Sequence, residues 1–436
     1  VLAIRKPKSE EHDPMRLTTA WILTASLLPA APLAAQNPDQ VARLLEEPAV
    51  KAALEAARAG EPQTLADQAR FCEIPAPPFQ EAARGAALKQ AFEELGLKNV
   101  RVDRAGNVLG DRPGRKPRPR LVIAGHLDTV FPEGTDVRVS REGAVLKGPG
   151  IGDDCRGLAV LVAVARALGR AGVETEGTIT FVADVGEEGL GDLRGMKELF
   201  DVTLKGEVDR FVSIDGTGIS LVRVAVGSHR YKVTFKGPGG HSFGAFGLAN
   251  PIHALGRAVA TIADFQVPAV PKTTFNVGRI GGGTSVNSIP FEAWMEVDMR
   301  SSDPKALAAV DADFQRAVDQ AVAEENRRWN HPGMVTAVKE LVGNRPAGNT
   351  PADAPIVTTA LAVARALGHS VSPGEGSTDA NYPMSLGIPA ITVGGGGRGR
   401  GAHSLDEQFD TTDSWQGTQW VTLLAIALAQ AGGAVP

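Results

Sequence analysis

"RLVIAGHLDTV", Arg120 to Val130, runs an apolar stretch (Leu121 to Ala124) straight into a histidine and, two residues on, an aspartate. A short, continuous apolar run bounded by polar residues reads as a strand covered on both faces, the kind found in parallel sheets with helices on either side. In open α/β sheets, ligands bind beyond the carboxyl ends of the strands. His126 and Asp128 stand at such an end. One His-x-Asp is weak evidence, so its weight depends on how the other strands finish.

They finish in the same way. "TITFVADVGEE" (Thr178 to Glu188) and "DRFVSIDG" (Asp209 to Gly216) read as apolar strands that end in carboxylates, Glu187 and Glu188 in the first and Asp215 in the second. "PAITVGGGG" (Pro389 to Gly397) is another strand, and His403 follows it in a loop. Between these lie helical patterns, "LAVLVAVARALGRAG" (Leu158 to Gly172) and "APIVTTALAVARALG" (Ala354 to Gly368). Helical spacing also fills Pro38 to Leu97, broken by the three prolines of "IPAPPFQE" (Ile74 to Glu81). Strands alternating with helices predict an α/β fold, a sheet flanked by helices.

The middle of the chain follows another rule. "RYKVTFKG" sets Tyr231, Val233 and Phe235 against Lys232, Thr234 and Lys236; "FEAWMEVDMR" sets Phe291, Ala293, Met295, Val297 and Met299 against Glu292, Glu296, Asp298 and Arg300. Such alternation predicts antiparallel strands with one wet face. The order of strand (229–236), helix (250–265), strand (273–280), strand (291–300), helix (304–328), strand (334–341) is the ferredoxin-like βαββαβ pattern. The expected organisation is therefore a catalytic part at 36–224, an inserted α+β domain at 225–343, and the rest of the catalytic part at 344–436.

Composition narrows the function. The chain has 436 residues, 43% hydrophobic and 22% charged, with a net charge of −5, which gives no basic face for nucleic acid. "RPGRKPRPR" (Arg112 to Arg120) is a solvated turn between strands or, in the rarer reading, an anion patch. "MRLTTAWILTASLLPAAPLAAQ", from Met15, carries a positive start, an apolar stretch and a small-residue cleavage site near Ala35, the layout of a secretory signal peptide. The mature protein is expected to be exported, periplasmic or secreted, and not held in a membrane; residues 1–14 read as a start-site artefact. Cys72 and Cys155 are the only cysteines. They either pair in an oxidising compartment or stay apart.

Alone, each polar group has an ordinary reading: His126 as a bonded loop histidine, Glu187–Glu188 as a solvated turn, Asp153–Asp154 of "GPGIGDDCRG" as a helix cap. Together they are a set. Several carboxylates and two imidazoles in one crevice repel unless divalent cations offset the charge, and imidazole with carboxylate is a zinc-type donor set.

"GHLDTV", "GPGIGDD", "GEEG", "SIDG" and "GAHS" resemble, in this order and across nearly all of the mature chain, the zinc metallopeptidases of the M20 family. That family includes tripeptidase T-like aminopeptidases, glutamate carboxypeptidase, aminoacylases and acetylornithine deacetylase. The resemblance implies a zinc-exopeptidase-like mixed sheet whose inserted domain is a lid and a homodimer interface. It implies two Zn2+ per subunit, with Co2+ or Mn2+ as alternatives. Asp153 would bridge them through a strained Asp153–Asp154 peptide, with His126 and Asp215 completing one site and Glu188 and His403 the other. Glu187 would be the general base and then the proton donor, and Asp128 would bond the far nitrogen of His126 and fix its tautomer. His241, in "GPGGHSFG", would reach a neighbouring active site and steady the oxyanion. Asn287 and Arg300 resemble lid residues that hold the substrate's carboxylate or carbonyl; an exposed salt bridge is the rival for Arg300. Where the family often has lysine or a small residue, this chain has Cys155 and Arg156. Cys155 would either ligate metal or pack beneath the site.

The implied reaction is hydrolysis of an amide bond in short peptides. Asp215, "ANPIHALGRAV" and "GEEGLGDLRG" resemble the aminopeptidase and tripeptidase branch. N-acyl-amino-acid deacylase or carboxypeptidase activity on the same site is the alternative, and a non-catalytic peptide-binding protein a more distant one.

Overall fold

The computed structural model describes residues 38–430; the expected signal peptide lies outside the described residues. Two hydrophobic cores organise them. The larger is a mixed sheet with helices on both faces; the smaller is a separate four-stranded antiparallel sheet under two helices.

At the centre of the large sheet, strands Ile179–Asp184, Leu121–His126, Arg210–Ile214 and Ala390–Val393 lie side by side, each parallel to its neighbour. Every residue of the four is buried, which explains why they read as unbroken apolar runs. Parallel pairing places all four carboxyl ends on one edge. Helix Cys155–Arg170 is buried along most of its length against this sheet and against helices Glu61–Cys72 and Trp415–Gln430. Each fully buried Val, Leu or Phe contributes about 1.5–3 kcal/mol through lost apolar exposure. The sheet is extended by antiparallel strands that the sequence pattern did not reveal: Lys98–Val102 and Val108–Arg112 on one side, Leu221–Ala225 and Gly348–Asn349 on the other. Arg112 to Arg120 links two strands, and its Lys116 and Arg118 pair with Glu176 and Asp209.

The small sheet has the order Thr273–Gly282, Glu292–Ser301, Gly227–Lys236, Thr336–Arg345, all antiparallel. Helices Pro251–Ala263 and Pro304–Arg328 cover one face, capped by the Asn250 and Asp303 side chains. Val233, Phe235, Ala293, Met295, Val297 and Met299 point into its core as their alternation requires. Phe291 does not. It precedes the strand and stays 59% exposed, so the pleat does not govern it. The last strand runs to Arg345, which delivers that side chain to the large sheet's edge. Among the described residues, no helix is long and apolar enough to cross a membrane.

Candidate metal centre

At the shared strand edge the donors converge around Asp153. His126 Nε2 lies 3.0 Å from Asp153 Oδ1, and His403 Nε2 lies 3.1 Å from Asp153 Oδ2, so the carboxylate has one imidazole on each oxygen. His403 Nε2 is also 3.1 Å from Glu188 Oε1. Two groups of donor atoms, each within 4.8 Å of one another, share Asp153: His126, Asp153 and Asp215; and Asp153, Glu188 and His403. A third, His126, Glu187 and Glu188, overlaps both.

Each donor is placed by a local device. His126 ends its strand and Asp215 follows the end of its own. Asp153 comes from a glycine-rich loop, with a cis peptide to Asp154. Asp154 caps the helix that follows, accepting from Gly157 N at 2.9 Å, and also accepts from His126 N at 3.1 Å. The ordinary cap reading thus holds for Asp154, while Asp153 is free to face the crevice.

Asp128 bonds the far nitrogen of His126 as expected, by way of its backbone. The carbonyl oxygen of Asp128, not its carboxylate, bonds His126 Nδ1, at 3.0 Å; the carboxylate stays 3.8 Å away. A carbonyl only accepts, so Nδ1 carries a proton; the Asp153 carboxylate on the other side also only accepts, so in the metal-free protein Nε2 is protonated too, and it is Nε2 that would give up its proton to a metal ion. The Asp128 carboxylate accepts instead from Gly186 N, Glu187 N and Glu188 N, and so holds the turn bearing both glutamates.

Electrostatics record a crowd of acids. Burial, then the charge of Asp153, pushes the Asp215 carboxyl well above the usual range. Burial also raises Glu187, against the pull of Arg345. Asp153 goes the other way: burial opposes its charge, but the two imidazoles outweigh it and hold its pKa far down. His403 is pushed up to about 10 by its bonds to Asp153 and Glu188. Burial disfavours charged His126, yet its acidic neighbours, Asp153 first, keep its pKa well above the ordinary value.

Two further features escaped the sequence, and a third decides between alternatives it left open. Arg345 Nη1 donates to Glu187 Oε1 at 2.9 Å, both buried. Glu407 accepts from Gly150 N, Gly152 N and Asp153 N at 2.9, 2.8 and 3.1 Å, clamping the loop that presents Asp153. Cys72 and Cys155 form a disulfide, so Cys155 is neither a metal ligand nor a free small residue. It does lie beneath the site, packed with Leu146, Ile151 and Phe409. Glu407 left one clue, an acid four residues past His403; Arg345 left none.

The residues of the small sheet's domain expected at the site, His241, Asn287 and Arg300, stand apart from this cluster. His241 is exposed, and its Nδ1 accepts from Phe243 N and Gly244 N in its own loop. Asn287 lies on the neighbouring segment: Ser242 N donates to its carbonyl at 2.9 Å, and His241 pairs with Ser288. Arg300 bonds Asp298 at 2.7 Å, so its salt-bridge reading is realised here. It also lines a cavity of about 290 Å³ with Lys272, Thr274, Glu375 and Ser377.

The donor set fits divalent cations. Its acids and imidazoles are brought within one coordination distance scale at a common carboxylate, and without a cation burial and the charge of Asp153 push Asp215 towards its neutral form. A mixed α/β sheet that gathers such a set past its parallel strands defines a class, the metal-dependent hydrolases that work at the edge of the sheet.

The comparisons agree. The family described as Peptidase family M20/M25/M40 matches residues 122–427, and the chain belongs to it, as a metal-dependent amide hydrolase. Succinyl-diaminopimelate desuccinylase of Corynebacterium glutamicum is 28% identical over 358 residues, covering 80% of this chain and 92% of that enzyme. A Staphylococcus aureus tripeptidase structure superposes with a TM-score of 0.70 at 23% identity, over 85% of this chain and 98% of that one. The Bacillus subtilis YXEP protein, described as a dinuclear metal-binding M20 peptidase, superposes at 0.63 with 18% identity, over 86% of this chain and 100% of that one.

Proposed function

We propose that this chain is an exported dinuclear zinc aminopeptidase acting on short peptides, tripeptides foremost. The observation that carries the reading is Asp153, with His126 on one oxygen, His403 on the other, and a second carboxylate beside each histidine. His126, Asp153 and Asp215 would hold one ion, and Asp153, Glu188 and His403 the other. Bound there, the ions supply Lewis-acid polarisation of the scissile carbonyl and a water of lowered pKa.

The chain's own groups do the rest. Glu187 is buried beside the donors, and burial raises its pKa against the downward pull of Arg345. It takes the proton of the attacking water and returns it to the leaving amine. Asp128 fixes the turn that aims Glu187 and Glu188. Arg300, in the cavity that Ser377 connects to Arg345, holds the carboxylate or carbonyl end of the substrate, with Asn287 as the second polar contact.

His241 completes the site of a second subunit, and Asn287 lies next to it in the fold. They share one hairpin region with Phe243 and Phe246, which are 88% and 78% exposed. Apolar rings at that exposure favour burial against another protein surface, and a homodimer through the small domain provides one. Export is supported by the Cys72–Cys155 disulfide, since such bonds persist in oxidising compartments.

The 28% identity to a desuccinylase favours a second reading, an N-acyl-amino-acid deacylase on the same centre. Purified protein assayed on tripeptides, dipeptides, and N-acetyl and N-succinyl amino acids separates them. Release of the N-terminal residue from tripeptides is expected; turnover of N-acyl substrates alone refutes the peptidase reading. Metal analysis should find close to two zinc ions per chain.

A further inference from the structure

The residue shared by both donor groups sits on a segment with little stiffness of its own. Gly148, Gly150 and Gly152 lie within the few residues before Asp153, and glycine loses more conformational freedom on ordering than any other residue. Something must hold this loop. Glu407 grips it from one side through the backbone N–H groups of Gly150, Gly152 and Asp153. The other side is held by helix Glu61–Cys72. Gln68 Nε2 donates to Ile151 O at 2.7 Å, and Cys72 Sγ lies 3.4 Å from Pro149 O.

The covalent part of that brace is the disulfide. Cys155 is two residues past Asp153, and its Cα is 5.4 Å from that of Cys72, well within the normal span. Both residues are fully buried. The Cys72 end is itself tied to the opposite donor: Arg84 donates to the carbonyls of Cys72 and Ile74 and, at 2.7 Å, to Leu127 O, next to His126. The chain of contacts from Cys155 through Cys72 and Arg84 to Leu127 is therefore a second brace, beside the direct bond from His126 N to the Asp154 carboxylate, on the spacing between the loop of Asp153 and the strand end of His126.

We propose that the Cys72–Cys155 disulfide is a positioning device for the metal centre, so that the chain reaches its full affinity for divalent cations only once this bond has formed. The inference rests on the dinuclear reading above. Bond formation removes two electrons and two protons from the two thiols. A disulfide-bearing exchange partner takes them and leaves as a dithiol. Because both sulfurs are buried, the bond forms during folding and then stays out of reach of reductants.

The test compares wild type with the double variant Cys72→Ala/Cys155→Ala and with Phe235→Leu, a core change in the small domain. Zinc affinity is read by competition with a chromophoric chelator, and the Tm of each metal-free protein is read by calorimetry. Loss of groups that orient metal ligands costs affinity about 10- to 100-fold. A fall of that size is expected for the double variant and none for Phe235→Leu, although both lower Tm. Affinity within twofold of wild type in the double variant overturns the inference, as do free thiols found by alkylating denatured, oxidatively expressed wild type. If wild type itself binds no divalent ion, the dinuclear reading fails instead. Should the double variant not fold, wild type made with the bond and without it is compared. Equal zinc affinity overturns the proposal, and so does failure of the reduced chain to fold, since the bond would then hold the whole domain and not the loop.

Discussion

Replacing Glu187 separates chemistry from stability because its two roles pull in opposite directions. Its carboxylate is buried and pairs with Arg345 Nη1 at 2.9 Å, yet its pKa is still raised, burial outweighing the guanidinium. A carboxyl whose folded pKa exceeds its unfolded value of about 4.5 favours the fold most when protonated. That contribution is complete below the unfolded pKa and is lost as pH rises through the folded one. At neutral pH the ionised group is thus a net cost in the metal-free protein. Glu187→Gln removes the charge but leaves an amide oxygen to accept from Arg345. A hydrogen bond to a charged group is worth about 1 kcal/mol more than a neutral one, and relief of the buried charge opposes that loss, so Tm should fall less than in Glu187→Ala. Glu187→Ala leaves Arg345 with only Ser377 at 3.2 Å, and an uncompensated buried charge costs about 3–5 kcal/mol. The fields of Asp379 and Glu188 at the guanidinium put the expected loss at the lower end of that range. In both variants turnover should fall about 10²- to 10⁴-fold, the usual weight of a general base, while metal content stays at the wild-type level. Tripeptide kinetics, metal analysis and calorimetry on the same preparations read all three. Glu187→Gln keeping its rate within tenfold of wild type, or losing its metal, refutes the assignment.

Asp153→Asn should weaken both metal positions and Asp215→Asn only one; titration with zinc under competition reads the difference, and equal losses would contradict a shared ligand. Metal binding should release protons, because His403, with a pKa of about 10 in the metal-free protein, is protonated at neutral pH. Apparent affinity should then fall about tenfold per pH unit of acidification for each proton displaced, as read by calorimetry in buffers of different ionisation enthalpy. The sign is opposite for the metal-free fold: stabilisation by charged His403 is complete below about 6.5 and is lost as pH rises through about 10. Arg156→Ala should cost about 3–5 kcal/mol in urea unfolding, because Arg156 is fully buried and joins Glu61 to the carbonyls of Gly395 and Ser414; a loss below about 1 kcal/mol would show that the Glu61 pair is dispensable.

What could be read from the sequence follows from how far each signal reaches along the chain. The four parallel strands announce themselves because burial on both faces forces unbroken apolar runs such as Leu121 to Ala124. The flanking strands Lys98–Val102 and Leu221–Ala225 are only partly buried and carry no such run. His126, Glu188 and Asp215 were visible because each closes an apolar run. Glu407 and Arg345 were not, because their value depends on partners 257 and 158 residues away. Asp128 bonds the far nitrogen of His126 as expected, through its carbonyl oxygen and not its carboxylate. Spacing brings it beside His126, but only the folded turn shows three backbone N–H groups competing for its carboxylate.

The charges at the centre also explain how the fold tolerates its own site before any metal arrives. Asp153, Glu188 and Asp215 would repel strongly in a dry crevice, and Arg345 compensates only on the side of Glu187. The imidazoles supply the remaining compensation. Each bonds an oxygen of Asp153, and both have raised pKa values in the metal-free state, so they stand as imidazolium ions where cations are to be held. Loading a divalent ion then displaces the imidazole's proton, so each position gains one unit of positive charge, where the bare acids would gain two. A centre built in this way need not be the source of the fold's stability, unlike a structural zinc cluster whose chain unfolds without metal. The extensive apolar core around Phe181, Leu158 and Trp420 is indifferent to the ion, and the donors can be emptied and refilled on a framework that stays in place.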